Sequence, residues 1–548
     1  MPKPGRVKLR PPKNQANEPW ERRVVRGGDA YNPNRILLGP EVALGPSAER
    51  ARTRFREVEG YFSSFPFWEF VKPLGWGGNG LALKYHYLEL ARRKDFNMVV
   101  KVSLYGWEDS ILRDEITAVR HHDRAAHCVQ GIEPGYVGLP PRPPYGYDIP
   151  SSDDSSSSSE SSGSESREDV PSREHKLGRA RKKLDQNELK RKWSRHRKRI
   201  RLARLRGDAK DAEMRRRGME PVRGYDPDNP DDPWHRDYLL LEFCENGDLE
   251  GLIGRLGEAE EMAPNRVLWA FWLCMVRACV AMAYPPRKFH PRRREGPPVT
   301  HNMLPGVDIN REGKIVGREL FEDIPVPRRR WAAKKLVHFD IDPNNIFISN
   351  VDFNAIDNEH LLIPKLKLGD FGLATEVKWR KRNIYYAGMR RWAKYGYYAP
   401  EQFGPEWEHI KTRDGEIPEE DGPEISEQKI AGNYGPQMNI WGIGITMWQL
   451  ITRLWVPLPP TLMPKSRKWP GLPDTYAVEI LTNPLYDGVD VKLRETVARC
   501  MAHDPAQRPT LPVLLKEAKK GIDKRFANET DQFIRDWVDR MIYNVPDW

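Results

Sequence analysis

Apolar residues gather in short runs in the first quarter of the chain and in one long run near its middle. FWEFVKPL (67–74) and LALKYHYLEL (81–90) flank a glycine-rich stretch, which predicts a strand, a glycine turn and a second strand. NMVVKVSLY (97–105) predicts a third strand, SILRDEITAVRHH (110–122) a helix, and YLLLEFCENGDL (238–249) a strand running into a connecting segment. AERARTRFREVEGYF (48–62) predicts a short helix behind a Pro- and Arg-rich arm. ANETDQFIRDWVDRMIYNVPDW predicts a C-terminal helix whose Phe533, Trp537 and Met541, four residues apart, dock on their own domain. The long run, VLWAFWLCMVRACVAMAY (267–284), is interrupted only by Arg277. Its length alone would suit a membrane, but a central Arg costs about 2.5–3.5 kcal/mol on insertion scales, which nearly cancels the gain from the apolar residues. A buried helix is the expectation, with no membrane partner.

Of 548 residues 30% are charged and 48 are proline, so part of the chain buries too little apolar surface to offset its ordering entropy. Ser151–Val170 carries a net charge of −5, and 171–223 carries +14. Only +2 of the total +11 remains for everything else, so the basic balance belongs to an insert. The acidic tract reads as disordered, and Ser151, Ser157 and Ser162, each with an acid three residues on, are similar to acidophilic kinase sites. The basic block could bind nucleic acid by neutralising phosphates, but Trp193 is its one aromatic, and a solvated face is the first reading. The five cysteines are scattered, without CxxC or a His at metal spacing, so neither disulfides nor a structural zinc site is expected. The N-terminus has no apolar segment behind its basic residues, and an intracellular protein, cytoplasmic or nuclear, is the expectation.

Several motifs follow one another in order. Gly75, Gly77 and Gly80 form GWGGNG between two strands, where missing Cβ atoms let backbone N–H groups approach phosphates. Lys101 ends the apolar run Met98-Val-Val, and Glu115 follows fourteen residues later. HFDIDPNN runs from His338 to Asn345, Asp370-Phe371-Gly372 follows, and then come Ala399-Pro400-Glu401 and DPAQRP (504–509). This succession resembles the eukaryotic protein kinases, with their glycine loop, strand lysine, helix glutamate, HRD…N loop, DFG and APE. The resemblance covers about 61–520 and implies an α+β, bilobal fold with a β-rich N-lobe and a helical C-lobe. Two inserts, 131–236 and 285–333, interrupt it; residues 1–60 are expected to be a flexible arm and 521–548 a helical extension.

The resemblance further implies ATP and Mg²⁺ as cofactors. Lys101, steered by Glu115, would hold the phosphates; Asp370 and Asn345 would offer oxygen to the metal; Asp340 would accept the proton of a protein hydroxyl, on Ser or Thr. Gly75, Gly77, Gly80 and Ala82 would cover the nucleotide. Leu241 would stand as gatekeeper, the backbone of Glu242 and Cys244 would meet adenine, and Asp248 would lie near the ribose. His338 and Phe371 would be structural, and Glu401 with Arg508 a buried ion pair.

The chain also departs from the pattern. Phe339 replaces an Arg that receives an activation-loop phosphate, and Asp342 replaces a lysine that faces the γ-phosphate. Lys394 stands in place of a threonine, and could reach Asp342 or lend its charge to the phosphate. Asn439 replaces an aspartate and keeps one carbonyl oxygen for the same hydrogen bonds. Residues 378, 380, 381, 382, 390, 391 and 394 are basic against Glu376, suggesting an acidic protein substrate. The alternative to a kinase is a catalytically impaired pseudokinase, a nucleotide-binding scaffold.

Overall fold

The structure is a computed structural model. It describes residues 37–38, 46–77, 80–139, 236–286, 322–325, 332–351, 359–379, 381, 383–409, 425–456, 461–463 and 468–544. The acidic tract, the basic block, Gly78, Asn79, Arg380 and Arg382 lie outside these residues.

The chain is mixed α+β. Helix α1 (Pro46–Phe62) precedes strands β1 (Trp68–Trp76), β2 (Gly80–Glu89) and β3 (Lys94–Ser103); helix α2 (Ser110–His121) and strand β4 (Leu239–Glu242) follow. The strands form one antiparallel sheet in the order β1-β2-β3-β4. Its side chains alternate. Leu81, Leu83, Tyr85 and Tyr87 of β2 are buried, and Leu81, Leu83 and Tyr85 are paired with Val102, Val100 and Met98 of β3, also buried. The intervening row, Gly75↔Ala82↔Lys101, points to the opposite face, which is how a two-residue period carries a lysine through an apolar strand.

Helix α1 covers the buried face. Ala51, Phe55, Val58 and Phe62 recur at spacings of four, three and four, so one stripe meets the sheet, and Phe62 packs against Trp68, Tyr85 and Tyr238. Packed structure is therefore present well before residue 60, where a flexible arm was expected, and Leu37 is buried with this core as well. The first insert likewise starts later than residue 131. Ile132, Val137 and Leu139 are buried, Ile132 N–H donates to Leu240 O, and Trp68 Nε1 donates to Val137 O. Within the second insert Glu322 is buried, so 285–333 contains packed structure as well.

The remaining elements form a larger helical core, beginning with α3 (Leu249–Glu258) and α4 (Asn265–Ala283), the latter being the long apolar run. Every residue of α4 from Val267 to Ala283 is buried within the chain itself, and Arg277 pairs with Glu359. Short strands β5 (Leu336–Val337), β6 (Ile346–Ile348), β7 (Leu366–Leu368) and β8 (Thr375–Glu376) pair as β5–β8 and β6–β7. Helix α5 (Asn383–Met389), the short α6 (Pro400–Phe403), α7 (Gln437–Thr452), α8 (Glu479–Thr482), α9 (Val491–Cys500), α10 (Leu511–Ile522) and α11 (Asp531–Val538) complete it. Helix α10 approaches α4 so closely that a Cβ on Gly521 would lie 2.1 Å from the Trp269 ring. At the C-terminus Trp537 and Met541 are buried with Ile534, Val538 and Ile542. Phe533 is 44% exposed, so the docking stripe is 534/537/538/541/542, and Phe533 lies outside it.

Candidate active site

Three elements bring the first charged cluster together. Lys101 leaves β3 on the face away from the aromatic core, and its Nζ donates to Glu115 Oε1 at 2.7 Å and to Asp370 Oδ1 at 2.9 Å. Helix α2 supplies Glu115; it starts on an Asp109 side chain that accepts from Ile111 N–H, and it buries Leu112, Ile116 and Val119 on the same side as Glu115. Burial pushes the Glu115 carboxyl up despite Lys101 beside it. Burial alone would lower the Lys101 ammonium, but Asp370 and Glu115 outweigh it and the pKa rises. The charge of Lys101 pulls Asp370 down to about 2, so this carboxylate stays ionised.

Asp370 has a left-handed backbone (φ 56°), a conformation that costs a non-glycine residue about 1–3 kcal/mol. The surroundings impose it. Leu368 N–H donates to His127 O, Val129 N–H to Leu368 O, and Gly369 N–H to Asn345 O, so the segment before Asp370 is tied on both sides. Phe371 after it is buried between His122, stacked at 4.6 Å, and His338, edge-on at 4.9 Å. Burial lowers both rings, His122 to about 3 and His338 to about 4, so each is neutral at physiological pH. His338 Nε2 lies 3.2 Å from Gly369 O, an acceptor, so this nitrogen carries the proton; Nδ1 accepts from Asp340 N–H. His338 and Phe371 thus pack together, and His338 orients the loop backbone.

The second cluster sits on the loop between β5 and β6. Asp340 Oδ2 accepts from Asn345 Nδ2 at 3.0 Å, and Oδ1 accepts from the backbone N–H of Lys394 at 3.2 Å. Burial raises Asp340 to about 6; Lys394 opposes the rise, while Asp342 and Asp370 add to it. Asn345 Nδ2 also lies within reach of Asp340 O and Asp342 Oδ2, so its nitrogen is committed and its oxygen is what it can offer a cation. The loop is pressed onto α7, where a Cβ on Gly442 would lie 2.7 Å from Ile341 Cβ. Asn439 Oδ1 accepts from His338 N–H at 2.9 Å and its Nδ2 donates to Leu336 O at 2.8 Å. The amide therefore anchors both sides of β5.

Asp342 is fully buried. Its Oδ1 accepts from Asn344 N–H and Nδ2, and its Oδ2 meets Asn345 Nδ2 and the Lys394 ammonium. The expected contact of Lys394 with Asp342 is present. Phe339 (φ 64°) packs edge-on against Trp392 at 5.4 Å and Tyr434 at 5.8 Å, so an aromatic ring is buried where the resemblance would place an arginine. Glu401 and Arg508, both fully buried side chains, form a bidentate pair at 2.7 and 2.8 Å.

The remaining predicted residues line the sheet and its exit. Gly77 N–H donates to Gly80 O at 2.9 Å, closing the β1–β2 hairpin, and a Cβ on Gly80 would lie 3.3 Å from Lys101 Cε. Gly75 and Ala82 are cross-strand neighbours in the Lys101 row. Glu242 turns its side chain inward to Lys367 Nζ, at 2.9 and 3.0 Å, and accepts from Gln130 N–H. Sequence reasoning missed that pair; a lysine between Leu366 and Leu368 in an apolar run was the available signal. Cys244 is buried, and Asp248 caps α3 by accepting from Gly251 N–H at 2.8 Å, a structural role absent from the sequence reading. No protein-family model matches the chain, and no curated protein matches it.

Proposed function

We propose that the sheet with α1 and α2 and the helical core form the two lobes of a protein-kinase fold, and that the chain transfers the γ-phosphate of ATP to a Ser or Thr hydroxyl of a protein. The observation that carries this reading is one ammonium, Lys101, shared by a helix carboxylate and Asp370, with Asp340 and Asn345 joined on the neighbouring loop. Phosphoryl transfer asks for positioning and charge neutralisation more than for covalent chemistry, and this set supplies both.

Asp370 and Asn345 would hold Mg²⁺. Their donors fit a hard cation, since one is a carboxylate held ionised and partly exposed, and the other an amide whose nitrogen is already bonded. A bound Mg²⁺ neutralises phosphate charge. Lys101 binds the phosphates and Glu115 orients it. Asp340, deprotonated above about pH 6, accepts the proton as the substrate oxygen bonds to phosphorus and the bond from the γ-phosphorus to the bridging oxygen breaks. Asp342 does not oppose the triphosphate charge directly, because it is buried and neutralised by Lys394. An acidic substrate is the preferred partner class, with Lys378 and Lys381 as candidate contacts. Lys394 and Arg390 have internal partners, Asp342 for one and Gln402 O with the Trp407 ring for the other.

Transfer of phosphate from Mg²⁺-ATP to the protein itself and to a mixed peptide library tests the reading, with Asp340→Asn as control. Activity reduced about 10²–10⁴-fold by the substitution is the expected result. Nucleotide binding with no transfer above the control would replace the kinase by a nucleotide-binding scaffold.

A further inference from the structure

Behind the Asp370 segment, three buried side chains converge from distant parts of the chain. His127 lies in the turn after α2, Cys274 halfway along α4, and His360 just ahead of β7; their exposures are 0%, 1% and 1%. Their ligand atoms all lie within 4.8 Å of one another. His127 Nε2 is 3.1 Å from His360 Nε2, and Cys274 Sγ is 3.9 Å from His360 Nε2.

The outer partners decide what these atoms carry. His127 Nδ1 meets Glu322 Oε2 at 2.6 Å, and His360 Nδ1 meets Ile363 O at 3.4 Å. A carboxylate and a carbonyl only accept, so both Nδ1 atoms are the protonated ones. In neutral rings both Nε2 atoms then carry lone pairs, and these face each other at hydrogen-bond distance. Such an arrangement is satisfied by a metal ion, by an extra proton between the rings, or by a His360 tautomer that gives up the long 3.4 Å contact with Ile363 O and donates from Nε2. Cys274 Sγ favours the metal, because it brings a third ligand atom to the pair and a proton between two nitrogens has no use for one. The Leu366 N–H points at that sulfur at 3.5 Å, a bond that stabilises a thiolate.

We propose that His127, His360 and Cys274 bind one zinc ion. Zn–N bonds of about 2.0–2.1 Å and a Zn–S bond of about 2.3 Å at tetrahedral angles place the nitrogens about 3.4 Å apart and sulfur about 3.6 Å from nitrogen. The observed 3.1 and 3.9 Å lie within a few tenths of those values. Two imidazoles and a thiolate suit zinc over magnesium or calcium, which take oxygen ligands. Glu322 is the carboxylate that fixes the His127 tautomer, the usual companion of a histidine ligand. The dication would face one thiolate and the Glu322 carboxylate, and Arg277 is paired with Glu359. Binding displaces the thiol proton to solvent and involves no redox change. The ion would cross-link the turn after α2, the middle of α4 and the lead-in to β7. His127 O already accepts from Leu368 N–H, so the clip reaches the segment that presents Asp370.

The test is elemental analysis of the full chain, tag removed, after exposure to excess zinc and gel filtration. About one zinc per chain is expected. Cobalt-substituted protein should show tetrahedral ligand-field bands with a thiolate-to-metal charge-transfer band, and Cys274→Ser should remove the latter. Glu322→Gln should weaken zinc binding by about 10–100-fold as a positioning residue, read by competition with a chromogenic chelator. Wild-type protein without stoichiometric zinc would overturn the proposal and leave the shared proton or the other His360 tautomer. Zinc kept equally by a folded Cys274→Ser/His360→Gln variant would also overturn it, as an adventitious ion only. If the variants do not fold, the wild-type cobalt spectrum decides, and a missing thiolate band refutes the site.

Discussion

Replacing Lys394 by threonine removes the ammonium that a buried carboxylate faces. Asp342 is 0% exposed and Lys394 28% exposed. Opposite charges about 3 Å apart attract by about 5 kcal/mol at an effective dielectric of about 20, and removing one partner of a buried pair costs about 3–5 kcal/mol. Asp342 keeps the N–H donors of Asn344 and Asn345, and water can enter where the lysine was, so about 2–3 kcal/mol is the expected loss. With an unfolding entropy of about 2.1 cal/mol/K per residue, a domain of a few hundred residues should melt about 3–4 °C lower. A second effect falls on Asp340, whose raised pKa Lys394 restrains. With Asp340 as the proposed base, which would work deprotonated, activity should be lost as pH falls through its folded pKa of about 6; without Lys394 that pKa rises, and the acid limb of the rate profile should move to higher pH. Calorimetry and a pH–rate series on Lys394→Thr read the two effects separately. Asp342→Asn added to it should recover most of the stability by removing the stranded charge. A single variant that melts like the wild type, or a limb that stays in place, would refute this account of the pair.

Arg508→Met should lower stability by about 3–5 kcal/mol, seen as a lower urea midpoint, because it strands a fully buried Glu401; pairing it with Glu401→Leu should restore much of the loss, and an unchanged midpoint in the single variant counts against it. Trp537→Ala should cost about 3–5 kcal/mol, whereas Phe533→Ala four residues earlier should stay within about 0.5 kcal/mol. Equal effects in thermal melts would mean that the C-terminal helix docks by a different face.

How much was legible from residues alone differs from place to place. The order of Lys101, Glu115, Asp340, Asn345 and Asp370 was visible because each stands in a short motif whose spacing reflects local backbone geometry. Their convergence in space agrees with that order. The contact of Lys394 with Asp342 was one of two expected roles, and seeing that these side chains meet needed the path of the loop. Glu242 with Lys367, 125 residues apart, had no local signature beyond a lysine in an apolar run. The packing of α1 was half visible, since a short helix was expected over 48–62 but nothing in the segment said that it would cover the sheet.

By itself the sequence determined the periodicities. A two-residue alternation gave β2 and β3 one buried face and left Lys101 on the other, and an apolar run interrupted only by Arg277 made α4 a buried helix. Such patterns follow from backbone geometry within a few residues, so they survive without knowledge of the neighbours. The tertiary structure alone decided which distant groups share a site. His127 and His360 are 233 residues apart, and Cys274 and Glu322 come from a helix and from within an insert; no spacing rule links them, and scattered cysteines argued against a zinc site. Side-chain chemistry acts over about 3 Å, and only the folded path of the chain sets which atoms come that close.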